Sequence, residues 1–238
     1  MPDILDHPYW WEAAPPQDFR LESWPARVDV VIIGGGFTGF GAAIPLARAG
    51  LQALVLEAAQ IGSGASTRNG GITSGNIRLS FDDLSRRFGP DQAAAFYREA
   101  AAARADLYAF ITNEGIECDL QPCGRLVGAL RPDSLDTMRR DADRLGTLLG
   151  IRAEVHDRTS LPDHIESARY CGGMWRDDIG GIHPAKLLAG MCHLAVASGV
   201  KISSSTPVRA VTRDAHAPAE SSFLIETDRG QVRAGHVI

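Results

Sequence analysis

Short apolar runs, helical patterns and glycine-rich breaks succeed one another along the chain. Residues 28–33 (VDVVII) form a nearly continuous β-branched run, which predicts a buried parallel strand. A glycine cluster follows, and then a helical stretch to about Ala49 that Gly50 ends. Residues 51–56 (LQALVL) predict a second strand. This succession predicts a βαβ unit, and therefore a parallel sheet with a right-handed crossover.

Further helices are predicted where a proline opens an apolar stripe and a glycine closes it. They cover residues 90–113, from about 132 to 150, and 184–199. Strands are predicted near residues 125–130, 207–213, 222–227 and 231–238. A hairpin turn, Asp228-Arg229-Gly230, joins the last two. Residues 60–80 are rich in Gly, Ser and Asn and predict a loop, whereas residues 1–27 predict an irregular arm on the surface of a domain.

Composition and charge restrict the class of protein. The chain has 238 residues, 45% of them hydrophobic and 22% charged, as in an ordinary globular protein. A net charge of -5 argues against a nucleic-acid surface, and no apolar run approaches the roughly 20 residues that span a bilayer. The acidic N-terminus does not look like a signal peptide, so a cytoplasmic protein is expected. The four cysteines form no CxxC pair, and neither disulfides nor a metal site is expected.

The strongest motif is a GxGxxG pattern on Gly34, Gly36 and Gly39, between the first predicted strand and its helix. Gly34 would permit a tight turn, Gly36 would let a pyrophosphate approach the backbone, and Gly39 would let the helix pack on the strand. Glu57 ends the second strand 23 positions after Gly34, where a carboxylate hydrogen-bonds a ribose diol. The alternative is a plain glycine loop with a solvated surface acid. Pro45 argues locally against the helix, because it removes a backbone hydrogen bond.

Three motifs in order resemble one flavoprotein family. The run from Gly34 to Ala43, with Gly50 and Glu57, resembles the FAD-binding fingerprint of two-dinucleotide-fold flavoproteins. Residues 62–71 (GSGASTRNGG) resemble the GASGRNGG loop of D-amino-acid-oxidase (DAO) type enzymes, nearest the gamma-glutamylputrescine oxidase and glycine/sarcosine-oxidase-like branch. Residues 180–187 (GGIHPAKL), 206–208 (TPV) and 9–15 (YWWEAAP) resemble further parts of that branch. The chain departs from the family at Thr67, where glycine is usual, and at Pro45.

The resemblance implies an α/β fold: a Rossmann-like GxGxxG FAD-binding domain with an inserted, incomplete α+β substrate domain. The implied division is an arm over residues 1–27, FAD-binding parts over 28–80 and 176–238, and a substrate-domain segment over 81–175. The sequence ends inside a predicted strand, so a further C-terminal part is expected. The implied FAD-binding residues are Gly34, Gly36, Phe37, Thr38, Gly39, Glu57, Ala58, Gly64, Ala65, Ser66, Arg68, Asn69, Gly70, Gly71 and Val208.

For activity, the resemblance implies FAD-dependent oxidation of the C–N bond of an amine or amino acid to an imine. A hydride equivalent passes to the flavin, the imine hydrolyses, and oxygen is the expected electron acceptor. The alternatives are a dehydrogenase that uses a quinone or carrier, and a non-catalytic, truncated flavin-binding fragment. An NAD-dependent dehydrogenase is a further alternative, against which the loop over residues 68–71 speaks. The chemistry resides mostly in the flavin, so no catalytic residue is assigned. His183 precedes a helix and is expected to cap it rather than act as a base, and Arg68 is expected to neutralise phosphate.

Overall fold

The structure is a computed structural model that describes residues 4–238. The chain divides into two compact units. The first contains the residues up to Gly70, together with Ile116–Cys118 and His183–Ile238, and the second contains Gly71–Gly115 and Asp119–Ile182. The segments of the second unit are therefore inserted into the sequence of the first unit, and each unit has its own sheets.

The first unit is built on a six-stranded sheet that contains the predicted βαβ unit. Strand β1 (Arg27–Ile33) pairs in parallel with β2 (Ala53–Leu56), and helix α1 (Phe37–Arg48) connects them. The second strand begins two residues later than predicted. On the far side of β2 lies β8 (Lys201–Ser203), also parallel, which the sequence analysis missed. Because β2 is buried along its length and β1 is buried at Val28 and at residues 30–32, their apolar side chains form the centre of this unit.

The other half of this sheet is an antiparallel meander. It consists of β9 (Val208–Arg213), β10 (Phe223–Thr227) and β11 (Gly230–Val237), and β11 pairs in parallel with β1. The predicted hairpin turn is therefore confirmed. The strand order is β8-β2-β1-β11-β10-β9. One hydrophobic core cluster contains buried side chains from both halves of this sheet. It comprises Val28, Val31, Leu54, Leu56, Ile225, Val232 and Ala234.

The long helices follow their predicted bounds closely. Helix α3 (Pro90–Asn113), α4 (Asp133–Leu149) and α5 (Pro184–Ala197) each follow a proline or begin with one. Gly115, Gly150 and Gly199 follow them with positive φ angles of 62°, 66° and 88°. That backbone region is unfavourable for other residues, so glycine is the physical stop at each end.

Helix α1 runs through Pro45 without ending there. Pro45 has no N–H to donate to the carbonyl of Gly41, one turn earlier. Both residues lie on the exposed side of the helix, so water can solvate that carbonyl. This exposure accounts for a proline that the sequence alone left unexplained.

The second unit contains five strands in two small sheets. Strands β4 (Arg125–Ala129), β6 (Gly172–Arg176) and β5 (Ala153–Asp157) form an antiparallel sheet in the order β4-β6-β5, and β3 (Ile72–Ser74) pairs with β7 (Ile179–Gly181). Of these strands the sequence predicted only β4. The expectation that residues 60–80 are loop throughout is wrong at β3, and helix α2 (Phe81–Phe88) was also missed.

The sequence carried a signal for α2 in Ser80, whose hydroxyl accepts a hydrogen bond from the backbone N–H of Asp83 at 3.1 Å. Serine followed three residues later by an acid is a common helix start.

Among the described residues, no helix is long and apolar enough to cross a membrane. No group of three or more potential metal ligands is assembled within residues 4–238 either.

Candidate functional site

The candidate site is the turn between β1 and α1. Gly34 has a φ angle of 110°, which glycine adopts at low cost, and Gly36 precedes the helix in an extended conformation. The first N–H groups of a helix have no partner within it, and they carry a partial positive charge. This turn therefore presents backbone donors suited to an anionic group.

The packing around this turn explains why glycine is needed. A β-carbon on Gly39 would overlap the carbonyl oxygen of Gly34, so the helix packs on the strand only without a side chain there. A β-carbon on Gly36 would lie 2.9 Å from the hydroxyl oxygen of Ser66, closer than such contacts occur in proteins. Next to Gly34, by contrast, a β-carbon would meet no atom within 4 Å. The space beside Gly34 is therefore open.

Glu57 immediately follows β2 and is fixed at the same edge of the sheet. Its carboxylate accepts hydrogen bonds from the backbone N–H of Gly35 at 2.8 Å and of Ala59 at 3.0 Å. The backbone N–H of Glu57 donates to the carbonyl of Ser203, the last residue of the neighbouring strand β8, and the carbonyl of Glu57 accepts from the N–H of Thr206 just beyond it. A carboxylate has about four acceptor sites, so capacity for hydroxyl donors remains. The spacing of Glu57 from the glycine turn predicted its place, but no signal in the sequence predicted the supporting N–H groups of Gly35 and Ala59.

The second glycine-rich loop reaches the start of α1 through Ser66. Its hydroxyl oxygen accepts a hydrogen bond from the N–H of Phe37 at 3.1 Å. The loop holds its own shape, because a 3-10 turn spans Ala65–Thr67 and the side-chain amide of Asn69 donates to the carbonyls of Ala65 and Ser66. The structure thus brings together three separated parts of the sequence: the GxGxxG turn, Glu57 and Ser66.

Arg68 contacts the N-terminal arm and its own loop. Its guanidinium carbon is 4.4 Å from the centre of the Trp11 ring, and its Nε donates to the carbonyl of Ser63 at 2.8 Å. A cation over an indole face is a favourable contact that needs no anion. In this structure Arg68 therefore contacts the N-terminal arm, and its expected role toward phosphate stays a prediction.

The remaining expected residues lie around this centre. Thr38, Ala58, Gly64, Ala65, Asn69 and Gly70 are exposed, and Val208 opens β9 and packs on the core cluster. Gly71 is the first residue of the second unit, where its carbonyl accepts a hydrogen bond from the N–H of Ile182.

Two residues outside the glycine turns have structural roles. The Nδ1 of His183 accepts a hydrogen bond from the N–H of Lys186 at 3.2 Å, which confirms the expected cap of α5. Trp10 packs edge-on against the His183 ring.

Burial raises the pKa of the Cys192 thiol to about 12, so this cysteine stays protonated at neutral pH and is a poor nucleophile.

These features fit the ADP half of FAD, the cofactor that the family resemblance implies. A pyrophosphate needs close approach to backbone N–H groups, and the open space at Gly34 and the missing side chain at Gly36 allow it. A ribose needs a fixed acceptor at the end of the second strand, and Glu57 lies there with its orientation held by two backbone N–H groups.

Comparisons with known proteins agree with this reading. The family model described as "FAD dependent oxidoreductase" (DAO) matches residues 29–238. Gamma-glutamylputrescine oxidoreductase of Escherichia coli (strain K12) is 31% identical over 210 residues, which cover 88% of this chain and 48% of the relative. The chain thus spans about half the length of the curated relatives it matches.

Solved structures show the same fold. Glycine oxidase from Geobacillus kaustophilus superposes with a TM-score of 0.70 at 21% identity, covering 89% of this chain and 54% of that enzyme. L-amino acid deaminase from Proteus vulgaris gives a TM-score of 0.70 at 19% identity, covering 92% of this chain and 48% of that chain. The family match over most of the chain, with the glycine turns in the expected places, shows that this chain belongs to the DAO family of FAD-dependent oxidoreductases.

Proposed function

We propose that the protein oxidises the C–N bond of a small amine or amino acid to an imine, with FAD as cofactor and oxygen as electron acceptor. The observation that carries the proposal is the family match over residues 29–238, together with a GxGxxG turn whose geometry fits a dinucleotide. The relatives support the substrate class, since their names describe a gamma-glutamylputrescine oxidoreductase, a glycine oxidase and an L-amino acid deaminase.

In this proposal the α1 end of the first unit binds the ADP half of FAD. Gly34, Gly36 and Gly39 bring the pyrophosphate to the start of α1 at Phe37 and Thr38. The N–H of Phe37 donates to the hydroxyl oxygen of Ser66, and that hydroxyl in turn donates its proton to a phosphate oxygen. Glu57 and Ala58 face the ribose, and Val208 lies beside the adenine. The loop over residues 64–71, including Ser66, Arg68 and Asn69, closes over the pyrophosphate and extends toward the flavin ring.

We also propose the domain division that the family resemblance implies. It differs from the two compact units in assigning residues 71–80 and 176–182 to the FAD-binding parts and 116–118 to the substrate-domain segment. The arm covers residues 1–27, the FAD-binding parts cover 28–80 and 176–238, and a substrate-domain segment covers 81–175.

Bound FAD supplies the hydride acceptor for amine oxidation, while the protein supplies binding and electrostatics. Backbone N–H groups at the start of α1 balance the phosphate charge and hold the dinucleotide in one register. The carboxylate of Glu57 disfavours an additional phosphate on the ribose by repulsion between like charges. None of the side chains described above is assigned to proton transfer.

The reaction class is tested with the full-length protein under anaerobic conditions. A panel of amines and amino acids is mixed with the enzyme, and loss of the oxidised flavin absorbance is followed. The matched controls are the hydroxy acids with the same carbon skeletons, which lack the nitrogen. We expect bleaching by at least one amine and by none of its hydroxy counterparts. Bleaching by hydroxy acids alone would reject oxidation of a C–N bond.

The electron acceptor is tested separately by admitting oxygen to the reduced enzyme. Rapid return of the flavin absorbance with stoichiometric hydrogen peroxide is expected for an oxidase. Slow return with oxygen, but rapid return with a soluble quinone analogue, would instead establish a dehydrogenase. The two outcomes separate the acceptor question from the substrate question.

A further inference from the structure

The N-terminal arm packs directly on the second glycine-rich loop. Residues Tyr9–Glu12 form a 3-10 turn from which two indole N–H groups reach that loop. The Nε1 of Trp10 donates to the carbonyl of Asn69 at 2.7 Å, and the Nε1 of Trp11 donates to the hydroxyl of Thr67 at 2.8 Å. Two hydrogen bonds from one short turn therefore fix two positions of the loop.

Thr67 is the point at which the arm and the loop meet. Its side chain is buried, with 2% of its surface exposed, and its hydroxyl donates to the carbonyl of Gly62 while accepting from Trp11. The hydroxyl thus uses both its donor and an acceptor site. The ring of Trp11 also covers the guanidinium of Arg68. The resembled family usually has glycine at position 67, and glycine offers no hydroxyl to which the indole N–H of Trp11 could donate.

The residue before Thr67 is the one that reaches the start of α1. The hydroxyl oxygen of Ser66 lies 3.1 Å from the N–H of Phe37 and would lie 2.9 Å from a β-carbon on Gly36. A shift of the loop by a few tenths of an ångström would therefore change both the donor available at the helix start and the space above Gly36. Because Ser66 and Thr67 are adjacent in one 3-10 turn, the hydrogen bonds that hold Thr67 also set the position of Ser66.

We propose that Trp11 is a positioning residue for the cofactor site, which acts through the hydroxyl of Thr67 to hold Ser66 against the start of α1. In this role the arm is part of the FAD-binding apparatus. The inference rests on the assignment of the α1 turn as the FAD site.

The test compares four variants of the full-length protein. Trp11→Phe and Thr67→Val each remove one partner of the hydrogen bond, and Thr67→Ser keeps the hydroxyl. Trp24→Phe is the matched control, because the indole of Trp24 also lies in the arm and donates to the carbonyl of Gln231 at 2.8 Å, on strand β11. Apoprotein is titrated with FAD by flavin fluorescence, and the native protein is digested with trypsin to measure cleavage after Arg68.

We expect Trp11→Phe and Thr67→Val to raise the dissociation constant of FAD by roughly five- to tenfold, as for loss of one hydrogen bond. We also expect both to speed cleavage after Arg68. Thr67→Ser should restore tight binding, and Trp24→Phe should leave both measurements unchanged even if it lowers the melting temperature.

The outcomes separate this inference from the cofactor assignment. A wild-type protein that binds no FAD would reject the cofactor site and the inference with it. Wild-type binding with unchanged affinity and cleavage in Trp11→Phe and Thr67→Val would reject the inference alone. Equal weakening by Trp24→Phe would also reject it, because general destabilisation would then explain the effect.

Discussion

At the start of α1, single atoms decide whether a phosphate group can approach the backbone. Gly36 has an ordinary φ angle of -96°, so its requirement for glycine comes from space and not from conformation. The spacing of the glycines predicted this turn, because each position has a mechanical reason that any GxGxxG turn shares. The spacing of the glycines could not predict that the hydroxyl oxygen of Ser66, from a distant part of the sequence, would limit the space above Gly36.

Substitution of Gly36 by Ala tests this restriction. The added methyl group would contact Ser66 and occupy the approach path, so we expect the FAD dissociation constant to rise at least roughly tenfold, or about 1.4 kcal/mol. Gly41→Ala is the control, since a β-carbon there meets no atom within 4 Å. That variant should bind FAD normally and gain about 0.5–1 kcal/mol in unfolding free energy. Unaltered FAD binding by Gly36→Ala would contradict the proposed approach path.

Asp157 provides a test at low pH. Hydrogen bonds from the side chain of Thr159 and from the backbone N–H groups of Ser160 and Thr159 lower the pKa of its carboxyl to about 2. Because the folded pKa lies below the unfolded value of about 3.9, this contribution to stability is present above that pH and is lost as the pH falls toward 2.

Urea unfolding of wild type and Asp157→Asn between pH 6 and pH 2 measures this contribution. The variant keeps an acceptor oxygen but cannot titrate, so we expect its unfolding free energy to fall less steeply below pH 4. Equal slopes in the two proteins would show that Asp157 titrates alike in the folded and unfolded states.

At the level of helices and strands, local signals in the sequence determined which elements were predictable. The helix starts at Pro90 and Pro184 and the glycine stops are local in sequence, and their bounds were predicted closely. Strands β6 and β7 contain glycines where apolar residues would mark a strand. β6 pairs with β4 and β5 on its two edges, and β7 pairs with β3. A local sequence pattern carries no signal for such long-range pairing.

Pro45 allows a prediction for helix α1. Pro45→Ala would restore the hydrogen bond to the carbonyl of Gly41, so we expect the unfolding free energy to rise by about 1–3 kcal/mol after allowance for the more flexible unfolded chain. Pro45 lies more than two turns beyond Phe37, so the FAD dissociation constant should not change. The measurements are denaturant unfolding and a flavin titration. A loss of stability would mean that the proline is favoured by a contact other than the helix hydrogen bonds.

For the whole molecule, the family and cofactor were predictable from three motifs in order, because the glycine turns are dictated by the ligand. The contact between the arm and the second glycine-rich loop was not predictable. Residues 9–15 resemble a family N-terminus, but no spacing rule relates Trp11 to Thr67, which lies 56 positions later. The sequence marked Thr67 as unusual, because the resembled family usually has glycine there. The buried hydroxyl of Thr67, which accepts a hydrogen bond from Trp11, gives this departure a physical reason.

The most direct test of the central claim is a visible absorption spectrum of the full-length protein after incubation with FAD and removal of unbound cofactor. The account predicts that the wild-type protein retains the oxidised flavin bands in stoichiometric amount and that Gly36→Ala, folded to the same degree by circular dichroism, retains much less. A folded wild-type protein that stays colourless would contradict the assignment of the β1–α1 turn as an FAD site. Equal retention by the two proteins would show that FAD binds without using this turn.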